Sequence, residues 1–293
     1  MFSRYGIFCK VVETGSFTRA GEVLGYSQSA ISQTVSALEQ ELGTTLLTRR
    51  RGNVSLTRDG KEFYPFIQSI HNSELALERK ALELQGLENS TVRIGTFTSV
   101  SRHLLPRLIK EFRSQYPNVH FLLEQGDYTR IENHILAGTV DFGFTSAEAS
   151  HKLNGQVLYR DEMMAVLPKD HPLAAKESVS LEELSKEPFI LVDEGHFSVA
   201  VNAFHAHGLE PDIEYRVFDD YTVMAMIQQG LGVSMIYAPV LKGFNKTELA
   251  IRPIEDKVYR ALTLVWDQWD TMPLAARLFA EYILKRASGS FPF

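Results

Sequence analysis

Cysteine occurs once in the 293 residues, as Cys9. That excludes an intramolecular disulfide, a redox-active thiol pair and a cysteine-based zinc site. The spacing within IFCKVV reads as a small buried hydrophobe on a first helix rather than a reactive thiol. No apolar run approaches the length of a membrane span, and the N-terminal MFSRYGIFCK lacks a signal-peptide layout. The expected compartment is therefore the cytoplasm, with no membrane partner. HExxH is absent, and no serine occupies a GxSxG turn. Asp141-Phe142-Gly143 spells a kinase tripeptide without the glycine-rich loop, strand lysine or HRD a kinase needs. Gly230-Leu231-Gly232 lies between a helix and a strand, the reverse of the dinucleotide fingerprint, and His205 and His207 diverge on a helix. No enzyme activity, cofactor or metal is expected.

The hydrophobic fraction of 44% and charged fraction of 23% suit a soluble chain, and the length suits two or three domains. The formal charge of −6 is unevenly spread. Residues 1–61 hold eight bases (Arg4, Lys10, Arg19, Arg49, Arg50, Arg51, Arg58, Lys61) against five acids, a local +3, so the remainder carries −9. A basic head on an acidic body confines attraction for phosphate to one end.

That head has three helical patterns. Residues 2–14 space Phe2, Tyr5, Phe8, Cys9 and Val12 as one amphipathic helix. Ser16 or Thr18 caps a second through Leu24, with Ala20, Val23 and Leu24 inward; Gly25 breaks it. Ser27 caps a third, whose apolar face is Ala30, Ile31, Val35, Leu38 and Leu42. Its opposite face presents Gln28, Ser29, Ser32, Gln33 and Ser36, short and uncharged, where a merely solvated face would be rich in Glu and Lys. Such a face suits close approach to another surface. Leu46 and Leu47 return to the core, and Arg49 to Leu56 reads as a hairpin about Gly52-Asn53. Thr57 caps a long helix in which Phe63, Ile70, Leu77 and Leu84 recur every seven residues, supported by Phe66, Ile67 and Ala81, with Pro65 in its first turns. The stripe suits a core helix of a larger domain or, because the flanking segments have cores of their own, a linker paired with a second copy. From Thr91 strands alternate with helices in two successive sets, which argues for parallel sheets in two α/β lobes binding a ligand at strand carboxyl ends.

With SQSAIS at 27–32, LE–ELG at 38–43, VSLTRDG at 54–60, AGTVDFGF at 137–144, DHPLA at 170–174 and QGLGV at 229–233, nearly the whole chain resembles the LysR-type transcriptional regulators. Ser29, Leu47, Asp59 and Tyr237 depart from the usual pattern. The resemblance implies an α/β protein with an N-terminal all-α winged helix-turn-helix (1–60), a long linker and dimerisation helix (61–90), and a two-lobed effector domain similar to periplasmic binding proteins (91–293). Lobe 1 is expected over about 91–162 and 267–293, and lobe 2 over about 163–266.

The implied partners are double-stranded promoter DNA, a second copy in a homodimer or homotetramer, and a small effector. At the DNA, Gln28 and Gln33 suit bidentate pairing with adenine, Ser29 and Ser32 suit bases or phosphate, and Thr18 and Ser27 suit phosphate. Arg49, Arg50 and Arg51 would follow the backbone or enter the minor groove. For the effector, Thr98, Ser99 and Ser101 form a hydroxyl-rich helix start suited to a carboxylate. The resemblance adds Gly126, Asp127, Thr145, Glu194, Phe197 and Asp219, with Phe97 and Tyr128 as further walls. The acids Asp127, Asp193, Glu194, Asp219 and Asp220 gather at strand ends, so an effector carrying an amino group beside its carboxylate fits if one or two face inward. The rival readings are a solute receptor and a DNA-binding protein without an effector.

Overall fold

A computed structural model describes residues 2–50, 53–83, 90–150, 152–242 and 247–287. The chain forms two compact units that divide at residues 84 and 85.

The first unit holds α1 (Arg4–Thr14), α2 (Phe17–Leu24), α3 (Gln28–Leu42), β1 (Leu47–Arg50), β2 (Asn53–Leu56) and α4 (Arg58–Glu83). Each of the first three helices starts at a serine, Ser3, Ser16 and Ser27, whose hydroxyl accepts the backbone N–H of Gly6, Arg19 and Ala30 respectively. Thr57 does the same for Gly60 at the start of α4, at 2.8 Å. Their inner faces enclose one core around Phe8, Val11, Ala20, Ile31, Leu38 and Leu46. Cys9 packs partly against this core, and burial pushes its thiol up to about 11, which leaves it protonated and unreactive.

Two expectations change here. Val23 is 63% exposed rather than inward. The inner face of α2 is instead Phe17, Ala20 and Gly21, and a Cβ on Gly21 would lie 2.6 Å from the Tyr26 carbonyl oxygen, so the following turn fills the space a side chain would take. Pro65 lies inside α4, past its first turn, where its missing N–H removes a helical hydrogen bond. Along α4, Ile67 enters the core and Phe63 packs partly against it, whereas Phe66 (70%), Ile70 and Leu77 (72%) are exposed. Leu84 lies outside the described residues.

The second unit has two lobes. Lobe 1 contains β3 (Thr91–Thr96), α5 (Thr98–His103), α6 (Leu105–Gln115), β4 (His120–Gln125), α7 (Tyr128–Leu136), β5 (Phe142–Ser146) and α11 (Leu274–Ala287). Between β3 and β4 the chain forms two helices, broken at Leu104. Pro106, in the first turn of α6, has no N–H with which to continue α5. Lobe 2 contains α8 (Leu181–Leu184), β7 (Phe189–Val192), α9 (Val199–Ala206), β8 (Ile213–Val217), α10 (Asp220–Gln228), β9 (Ser234–Tyr237) and β10 (Leu249–Pro253). Each lobe has its own apolar core, around Phe112, Phe142 and Phe279 in lobe 1 and Phe189, Phe204 and Ile236 in lobe 2.

The strands β6 (Asn154–Pro168) and β11 (Tyr259–Trp266) join the lobes. The first part of β6 pairs with β11, and its second part pairs with β9 and β10. Within the lobes β3 is parallel to β4 and β5, and β7 is parallel to β8, as the alternation predicts. The joining strands run antiparallel to their neighbours, because a strand returning from the other lobe enters from the opposite end. For the same reason the chain re-enters lobe 1 at the start of β11, a strand earlier than the expected 267. Leu262 and Leu264 of β11 lie in the lobe 1 core.

Candidate functional site

In the first unit the polar face of α3 stands clear of the core. Gln28, Ser29 and Gln33 are exposed and Ser32 is half-buried, opposite Ile31, Val35 and Leu38. Ser27 is exposed, caps α3 and has its hydroxyl 3.0 Å from that of Ser29. Thr18 is exposed but lies within α2, whose cap is Ser16. The wing pairs Arg49 with Val54 and Arg50 with Asn53 across the antiparallel strands. Glu39, on α3, accepts the N–H groups of Leu46 (2.7 Å) and Leu47 (3.1 Å), which fixes the start of the wing against α3. Arg51 and Gly52 lie outside the described residues.

In the second unit the carboxyl ends of β3, β4 and β7 open on a cleft between the lobes with about 370 Å³ of empty space, part of it open to solvent. Of the residues expected there, Thr98, Ser99, Gly126, Asp127 and Glu194 line it. Ser101 lies beside it, donating to the Thr98 carbonyl and accepting from Gln125 at 3.1 Å. Thr145 is buried within the sheet opposite Thr263, Phe197 packs against the lobe 2 core, and Asp219 caps α10 by accepting the Thr222 N–H at 2.8 Å. Those four are not in the cleft wall.

The cleft wall also holds a residue the sequence did not single out. Arg260, at the start of β11, is 1% exposed and pairs with Asp161 of β6, which is 2% exposed. Its guanidinium also donates to the Ser99 hydroxyl at 3.1 Å and stacks between Tyr237 (3.8 Å to the ring centroid) and Phe97 (4.8 Å). Its Nε has no hydrogen-bond partner. Glu194 accepts from the hydroxyls of Tyr128 (2.8 Å) and Tyr237 (2.7 Å) and from the Val199 N–H (3.0 Å). Burial raises its pKa even so.

The loop that carries Glu194 also clasps lobe 1. The Tyr128 N–H reaches the Glu194 carbonyl, the His196 N–H reaches the Thr129 hydroxyl at 2.9 Å, and the His196 ring bridges Thr129 and the Ala149 carbonyl. Gly195 (φ 90°) makes the approach possible, since a Cβ there would lie 2.5 Å from the Thr129 hydroxyl oxygen and 2.8 Å from an Asp127 carboxylate oxygen.

Burial pushes Asp220, also in the cleft wall, up to about 7. A carboxyl raised on folding contributes stability that is complete below its ordinary range and is lost as pH rises through about 7. Thermal unfolding between about pH 5 and 8 should therefore show stability falling with pH, and Asp220→Asn should flatten that fall and stabilise the protein by about 2–4 kcal/mol at the alkaline end. An unchanged slope in the variant would mean that Asp220 does not hold a proton there.

A two-lobed ligand cleft on one chain with a winged helix-turn-helix defines a DNA-binding regulator with an effector domain. Residues 85–288 match the LysR substrate binding domain, and residues 2–61 match the bacterial regulatory helix-turn-helix protein, lysR family. The chain is 32% identical over 277 residues to the uncharacterized HTH-type transcriptional regulator YvbU of Bacillus subtilis, covering 94% of each. It is 32% identical over 285 residues to the uncharacterized HTH-type transcriptional regulator YnfL of Escherichia coli, covering 94% of this chain and 95% of that one. The crystal structure of HinK, a LysR family transcriptional regulator from Pseudomonas aeruginosa, superposes with a TM-score of 0.60 at 26% identity and 98% coverage of both chains. The chain belongs to the LysR family of transcriptional regulators, which bind DNA and are not enzymes. Among the described residues, no helix is long and apolar enough to cross a membrane.

Proposed function

We propose that this regulator reads pseudo-palindromic promoter sites in the cytoplasm as a homodimer or homotetramer, and that a small carboxylate-bearing effector held between the lobes sets its arrangement on DNA. The observation that carries the reading is the cleft, where the Arg260 Nε lacks a partner beside the hydroxyls of Thr98 and Ser99. Those groups are the donors a carboxylate takes. Phe66, Ile70 and Leu77 support self-association, as an apolar face of α4 that its own unit leaves uncovered. An effector can shift DNA binding only by preferring one of two arrangements, so a ligand-dependent change in footprint length or DNA bend is the test. An unchanged footprint with a ligand that demonstrably binds the cleft would favour a body that serves assembly alone.

At the DNA, α3 and the wing are assigned different work. Arg50→Ala with Arg51→Ala should weaken binding to all sequences and flatten the dependence of log K on log salt by about two phosphate contacts. Gln28→Ala should instead relax preference at particular base pairs, by about 1–3 kcal/mol each. Salt titrations on specific and scrambled duplexes separate the two, and identical behaviour of both variants would refute the assignment.

A further inference from the structure

We infer that the cleft recognises a protonated amine through Asp220, which makes the effector a small zwitterion of the amino-acid type. The inference rests on the carboxylate-effector reading of the cleft and adds the second charge. Four carboxylates line the cleft, on Asp127, Asp193, Glu194 and Asp220, against the single guanidinium of Arg260, which is already paired with Asp161. Three of the four accept hydrogen bonds from other residues of the protein. Asp127 accepts the Arg130 N–H at 2.8 Å, Asp193 the Gly195 N–H at 3.1 Å, and Glu194 takes two tyrosine hydroxyls and a backbone N–H.

Asp220 differs. It is 7% exposed, lies in the cleft wall, forms no ion pair and accepts no hydrogen bond from another described residue. A buried carboxylate whose one donor is its own backbone N–H is costly, and this one lines the cleft. An ammonium group supplies three N–H donors and the opposite charge, whereas a neutral hydroxyl supplies one donor and no charge. The exposed Phe218 ring in the same wall adds a face on which a cation or an apolar side chain rests. The carboxylate end then meets Thr98, Ser99 and Arg260 in the same cleft.

Calorimetric titration of the full-length protein near neutral pH tests this. The probes are the protein L-amino acids, each matched with the carboxylic acid lacking only the α-amino group, such as phenylalanine with 3-phenylpropionate. At least one amino acid should bind, with its matched acid about 10- to 100-fold weaker. Asp220→Asn, which keeps the side chain's size, should abolish that preference without lowering the melting temperature. Equal binding of amino acid and matched acid, or a preference that survives in Asp220→Asn, overturns the amine site and leaves the carboxylate reading standing. Failure of every amino acid and every matched acid to bind overturns both.

Discussion

Arg260→Met should cost the effector unit about 3–5 kcal/mol, because it leaves the carboxylate of Asp161, 2% exposed, without its counter-charge. The same change removes the donor to Ser99 and the cation between Tyr237 and Phe97. Methionine keeps an unbranched apolar stem, so part of the packing is retained. Arg260→Lys should not restore the loss, since an ammonium lacks the planar fork that pairs with a carboxylate while stacking on rings. Combining Arg260→Met with Asp161→Asn should recover most of the stability, because the penalty is that of an unpaired buried charge. Calorimetric unfolding of the three variants gives the answer. A single-variant cost below about 1 kcal/mol would show that Asp161 finds another proton or partner.

Gly60→Ala should destabilise the first unit by about 3 kcal/mol or more, against a helix-propensity gain of about 1 kcal/mol that the substitution would bring at an exposed site. The reason is the Leu46 carbonyl, which accepts the Thr57 N–H at 2.9 Å and lies so near Gly60 that a Cβ would overlap its oxygen. Neither neighbour is a flexible side chain. Either the start of α4 or the strand entering the wing must move, and the Glu39 contacts that seat that strand would go with it. The DNA-binding half should lose its thermal transition and its DNA affinity while ligand binding in the second unit persists. Retained DNA affinity in Gly60→Ala would mean that the wing adapts to the side chain.

Both predictions depend on tertiary contacts, which marks where the sequence stopped being readable. Caps and stops are local, so Ser27, Thr57 and Gly43 identify their helix ends from a few neighbouring residues. The uncharged polar face of α3 is likewise a short-range pattern, and the structure leaves it exposed opposite the core. Val23 misled because apolar character alone does not show which face of α2 turns inward, and that face is Phe17, Ala20 and Gly21.

In the cleft, Ser99, Gly126 and Asp127 were legible as residues at strand ends, where such folds bind ligands. Arg260 was not, because its partners Ser99, Tyr128 and Asp161 lie 161, 132 and 99 residues away. The one signal available was a lone arginine opening an otherwise apolar strand, RALTLVW. Asp219 and Asp220 show the same limit at finer grain. Adjacent and identical, they divide into a helix cap and a cleft carboxylate by the direction each side chain takes from the chain.

The joining strands bear on how such a regulator diversifies. Asp161 and Arg260 stand on β6 and β11, the strands that connect the lobes, so the charge that Arg260 brings to the cleft is also part of the join between them. Altering that pair to suit a new effector would disturb the joining strands in the same step. Residues where strands pass into helices, such as Thr98, Asp127, Phe218 and Asp220, do not belong to that join. New ligand specificity in descendants of this chain should therefore accumulate at those positions, while the Asp161–Arg260 pair drifts slowly.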